Sequence, residues 1–179
     1  MALQTVINGR QAPGIAGEFS DTSVKSARQY LVYGKDDASK PTFGKVFSLA
    51  DKAINTGSSE TTTVAVQGTG DGTKALGILV NPKEHFTHGF VTTLEMDAAT
   101  AGTIATRGHV WVMVASAVNA GDPVYADADG NLGPSTLASS KKVLGATWLK
   151  TVAAPVSPKT EVLAEVAIDN PTLDASGEG

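Results

Sequence analysis

Val110-Trp111-Val112-Met113-Val114-Ala115 is the stretch on which the fold turns. A strand sends successive side chains to opposite faces. Val110, Val112 and Val114 therefore share one face, and Trp111, Met113 and Ala115 the other. Both faces are apolar, which predicts a central strand covered on both sides, or one whose second face meets another subunit.

Similar short segments recur on either side, each bounded by Gly, Asn, Asp or Pro. Toward the N-terminus these are Phe90 to Leu94, Leu76 to Val80, Thr62 to Gln67, Phe43 to Leu49, and Tyr30-Leu31-Val32-Tyr33. In Thr62 to Gln67, the residues Thr62, Val64 and Val66 alternate with Thr63, Ala65 and Gln67, the period of a strand with one wet face. Toward the C-terminus, Pro123 to Ala126 and the residues after Asn131 flank Asp127-Ala128-Asp129-Gly130, a hairpin signal with Asp-Gly at the turn. Val143 to Leu149 and Glu161 to Ile168 follow, with Val162, Ala164, Val166 and Ile168 on one face. Strands at this spacing predict an all-β fold, an antiparallel β-sandwich or jelly-roll-like domain. Val24 to Gln29 and Asp97 to Ala101 read as short helical turns.

The ends differ from the middle. In residues 1–22, Gly9, Pro13, Gly14 and Gly17 interrupt scattered apolar residues, so the segment reads as an extended N-terminal arm and not a long helix or central strand. Twenty extended residues reach about 65–70 Å, against a radius of gyration of roughly 16 Å for a domain of this size. Such an arm can cross its own domain and touch a neighbour. The domain proper is expected over 23–169, and residues 170–179, opening with Asn170-Pro171, read as a flexible solvated tail.

The chain's 179 residues suit one domain. Its 25 Ala, 20 Thr, 19 Gly and 18 Val, with only 6% aromatics, predict a thin, strand-based core. Lys and Arg number 14 against 18 Asp and Glu, a net charge of −4 that argues against direct nucleic-acid binding. The absence of cysteine excludes disulfides, thiol catalysis and cysteine-rich zinc sites. No apolar run approaches the roughly 18 residues of a membrane span, and the start lacks a signal-peptide layout, so a soluble, intracellular setting without a membrane partner is expected.

Reactive constellations are scarce. His85 and His88 have spacing that brings two imidazoles toward one metal, but in a loop with no evident fourth ligand they read as surface histidines. Asp127-Ala128-Asp129-Gly130 lacks the glycine and glutamate positions of an EF-hand and reads as turn chemistry. Gly68 to Lys74 is glycine-rich but lies between strands without the Gly-Lys-Ser/Thr of a phosphate loop. Glu95 and Asp97 share a strand face, as exposed carboxylates commonly do. No Gly-x-Ser-x-Gly elbow occurs. No enzyme, cofactor or metal site is expected; the pattern suits a protein whose product is an interface.

Gln11-Ala12-Pro13-Gly14-Ile15-Ala16-Gly17-Glu18-Phe19 resembles the start of the tailed-phage structural cement proteins. Gly44-Lys45-Val46-Phe47-Ser48-Leu49-Ala50, then Asn55-Thr56-Gly57, Gly77-Ile78-Leu79-Val80, Trp111-Val112 and Gly121-Asp122-Pro123-Val124-Tyr125-Ala126 continue the family's order of landmarks. One departure is Asn81-Pro82-Lys83-Glu84, where the family usually has a basic residue directly after its strand. The resemblance implies a jelly-roll-like protein on the outside of an icosahedral head, at local twofold positions, joining neighbouring major capsid protein subunits. It also implies self-association, a homodimer with a trimer as the other possibility, and synthesis in the host cytoplasm. The arm is the expected clamp, through Leu3, Val6, Ile7, Gln11, Pro13, Ile15 and Phe19. The alternative is a carbohydrate-binding or adhesion module of a virion, which requires exposed aromatics among Trp111, Trp148, Tyr30 and Tyr125.

Overall fold

The computed structural model describes residues 14–20, 25–36, 38–53, 61–70, 75–81 and 94–174. These hold nine strands: β1 (Ser26–Tyr33), β2 (Val46–Ala53), β3 (Thr61–Gln67), β4 (Ala75–Val80), β5 (Thr100–Val114), β6 (Pro123–Ala126), β7 (Leu132–Gly133), β8 (Lys141–Trp148) and β9 (Val162–Leu173). The all-β expectation holds. The strands form a single mostly antiparallel sheet, in the order β1-β3-β2-β4-β5-β9-β8-β6-β7, with a further pairing of β1 to β5. That extra pairing closes the first five strands into a ring, and only β1 and β3 in it are parallel.

β5 belongs to both halves of the sheet. Its first part, from Thr100 to Arg107, pairs with β1, and Thr103 to Ala105 pair with β4. Its second part, from Arg107 to Val114, pairs with β9. Between the two the inward parity changes: Ile104 faces a small core with Val32, Phe47, Ala65 and Leu79 inside the ring. Ala105, and then Val110, Val112 and Val114, belong to a larger core with Val124, Val143, Trp148 and Val166. A register shift opposite Ser26 and Ala27 supplies the extra residue that switches the faces. Val110 and Val112 are fully buried, and each buried valine contributes on the order of 1.5–3 kcal/mol of transfer free energy.

The two halves also pack face to face. Val46 and Ile78 of the ring share a closed apolar space of about 10 Å³ with Val124, Val143, Ala146 and Val166. That is room for at most about one water, so the contact is close-packed. The predicted hairpin is present, with Tyr125 opposite Gly133 and Ala126 opposite Leu132. Asp127 makes its turn: one carboxylate oxygen accepts the N–H groups of Asp129 (2.9 Å) and Asn131 (2.8 Å), the other the Asn131 amide at 2.7 Å.

Several boundaries differ from the sequence expectation. The helical turn expected over Val24 to Gln29 is replaced, from Ser26 on, by β1. Asp97 to Ala99 make a turn closed by the Thr100 hydroxyl on the Asp97 carbonyl (2.5 Å), and Ala101 already lies in β5. These small or long-chained residues carry little strand signal of their own; pairing to a neighbouring strand decides them. Residues 170–173, expected in the tail, complete β9, with Leu173 only 3% exposed. Pro171 is tolerated because it sits where the β8–β9 register skips around Gly145, so no ladder bond needs its missing N–H. Val64 and Ala65 are both fully buried, so the middle of β3 has no wet face. Residues 90–93 of the expected Phe90 to Leu94 strand lie outside the described residues.

Candidate functional site

Residues 14–20, the described part of the segment expected as an arm, are anchored in the sheet. β9 fills one edge of the second half of β5, and residues 17–20 line the other from His109 to Trp111. Gly17 N–H donates to the Trp111 carbonyl (2.7 Å), Trp111 N–H to the Glu18 carbonyl (2.9 Å), and Ser20 N–H to the His109 carbonyl (2.9 Å). Phe19 stands opposite Val110 and packs against the larger core. Asn81 N–H donates to the Gly17 carbonyl at 2.9 Å, tying the same root to the end of β4.

Glycine permits this close crossing. Gly17 and Gly44 lie against each other, both in the left-handed region, with φ of 83° and 78°. A Cβ on Gly17 would stand 2.8 Å from the Phe43 Cβ, closer than two carbons tolerate. Just before it, Ala16 is 3% exposed, while Ile15 is 53% exposed. A local turn holds Ile15, the Glu18 N–H reaching its carbonyl at 3.0 Å.

Beside the root lies a polar cluster. Glu165 of β9 is 8% exposed and opposes Trp111 across the ladder. Its carboxylate accepts the Ser20 hydroxyl and, on the other oxygen, Lys150 Nζ at 2.7 Å. Lys150 also lies over the Trp111 ring, 4.5 Å from its centre. Burial disfavours the charged carboxylate, yet the bonds from Lys150 and Ser20 and the nearby His109 outweigh it and hold the Glu165 carboxyl below its ordinary range. A buried carboxylate with two donors is a structural tie between residues 17–20 and the sheet.

Of the expected interface residues, Leu3, Val6, Ile7, Gln11 and Pro13 lie outside the described residues. Ile15 is exposed at the base of the arm, and Phe19 is spent on the protein's own core. His85 and His88 also lie outside, and no group of three metal-ligating side chains occurs among the described residues. The aromatic groove a glycan site requires is not formed by the four candidates: Trp148 is 1% and Tyr125 9% exposed, Tyr30 packs on the ring core, and Trp111 is covered by Lys150. Glu165 was not singled out by its sequence. Its only signal is a carboxylate within the apolar run from Val162 to Ile168, and its partner Ser20 is 145 positions away.

Three comparisons bear on identity. The chain is similar in fold to a solved chain described as "The capsid of Myoviridae Phage XM1", with 16% identity, a TM-score of 0.57, and coverage of 94% of this chain and 98% of that one. At that identity the likeness speaks for the fold alone. No curated relative matches. Residues 3–169 match the family model described as "Structural cement protein (E217 gp24/Pam3 gp6)", which spans the arm, the ring and almost all of the second half of the sheet. Because that match covers most of the chain, the chain belongs to the phage structural cement protein family, a non-enzymatic component of the virion capsid.

Proposed function

We propose that this protein binds the outer surface of the phage head and ties neighbouring major capsid protein subunits together, using the arm that precedes Gly14 as its clamp. The observation that carries this reading is the anchored root. Gly17, Glu18 and Ser20 are bonded through their backbones to β5, so a load taken by Leu3, Val6, Ile7, Gln11 or Pro13 passes directly into the central strand. Exposed Ile15 extends that surface to the edge of the domain. Many copies on one shell make modest individual contacts sufficient, and the net charge of −4 suits a surface turned away from DNA. The protein acts as a homodimer at local twofold positions; light scattering of free and head-bound protein tests the self-association.

The test is binding to expanded, undecorated heads of the cognate phage, followed by heating. Saturable binding and a higher shell melting temperature are expected. Deleting residues 2–13 should leave the domain's own melting unchanged and weaken head binding at least about tenfold, as for loss of an interface anchor. Deleting residues 2–19 should also destabilise the domain, because it removes Gly17, Glu18 and Phe19 from the edge of β5. Undiminished binding by the shorter deletion would remove the arm from the interface.

A further inference from the structure

The ring is closed at only one short place. β1 pairs with β3 through Val32 and Tyr33 alone, opposite Ala65 and Val66. Below that point the two parallel strands diverge: Ser26 to Leu31 pair only with β5, and Thr61 to Val64 only with β2. The Thr106 hydroxyl reaches the Ser26 carbonyl at 3.3 Å, but from Ala27 to Leu31 no hydrogen bond reaches the outer edge among the described residues. In an antiparallel pair alternate backbone groups point away from the partner, so among the described residues this edge presents a row of unpaired donors and acceptors roughly 17 Å long. Ala27, Arg28 and Gln29 are exposed and Leu31 is 43% exposed. A bare edge of this length is a template for strand addition, which proteins ordinarily cover or charge.

The charge here selects the occupant. Lys25 and Arg28 are both exposed, and among the described residues neither has a carboxylate partner; Lys25 only lies over the Phe19 ring. Pairing with a second copy would bring two such cationic pairs onto one short ladder, where like charges oppose the pairing. A strand carrying Asp or Glu satisfies the backbone and the charge together. We infer that the outer edge of β1, from Ala27 to Leu31, receives an extended, carboxylate-bearing segment of the major capsid protein by strand addition, a second contact besides the arm. This rests on the head-binding reading above.

Amide hydrogen exchange of the full chain, free and bound to undecorated heads, tests it. Alternate amides between Ala27 and Leu31 should slow at least about tenfold on the heads, as unpaired strand groups do on entering a ladder. Arg28→Glu should weaken head binding about tenfold, with Arg28→Lys near wild type and both free variants melting normally. Bound protein whose Ala27–Leu31 amides exchange as in the free state overturns the inference and leaves the arm contact standing. Protection already present in the free protein and rising with its concentration also overturns it, assigning the edge to a second copy. Failure of the wild-type chain to bind heads removes the head-binding reading itself.

Discussion

The two halves of β5 are treated in opposite ways. From His109 to Trp111 both edges are occupied, by β9 and by residues 17–20, and the nearby carboxylate of Glu165 is matched by Lys150 and Ser20. From Thr100 to Arg107 the neighbour β1 has an outer edge that no described residue covers, and the ring it closes encloses, among the described residues, a core of Val32, Phe47, Ala65, Leu79 and Ile104, with Tyr30, Phe43 and Met96 at its border. One half is finished and the other is open. The difference teaches where rigidity and binding divide: a clamp needs a fixed base, and strand addition needs groups the fold leaves unpaired.

The sharpest way to break this comparison is Phe47→Ala. Phe47 is the largest fully buried side chain of the ring, and its loss should cost about 3–5 kcal/mol. Amides of β1 to β3 should then exchange well before those of β9. Equal acceleration in both halves would mean that they unfold as one unit. Next is Gly17→Ala, which forces a Cβ against Phe43 at positive φ and should cost about 2 kcal/mol. Faster exchange of the Trp111 amide, which the root covers, is the signature to look for in that variant.

Glu165→Gln should cost about 1–2 kcal/mol near neutral pH. Because the folded carboxyl titrates below its ordinary value of 4.5, the stabilisation is fully present above that pH and is lost as pH falls through the folded value. Melting curves of variant and wild type should therefore converge in acid; a pH-independent gap would show that shape, and not charge, holds the root. The smallest effect belongs to Lys35→Ala. Its ion pair with Asp129 joins the ring to the hairpin turn, but the two side chains are 53% and 54% exposed, so the melting temperature should stay close to that of wild type.

Strand alternation was legible wherever β-branched and large apolar residues mark it, as in Val110 to Val114 and in Val162 to Ile168. It was not legible in Thr100 to Arg107, where Ala101, Gly102 and Ala105 carry no face. Their smallness is a tertiary requirement: a Cβ on Gly102 would stand 2.6 Å from Val32 and 2.9 Å from Leu79. The site divides likewise. Pro13 and the two glycines of Gln11 to Phe19 mark the expected arm, whereas the tie among Ser20, Lys150 and Glu165 joins distant positions and has no local pattern.

Local chemistry alone therefore determined that this is an all-β chain, because side-chain period and turn residues act over a few positions. Only the tertiary structure decided that one strand serves two cores, that Phe19 faces inward while Ile15 does not, and that no described residue pairs with the outer edge of β1. Those outcomes depend on which backbone finds which partner across the chain, and hydrogen-bonding groups are the same in every residue but proline.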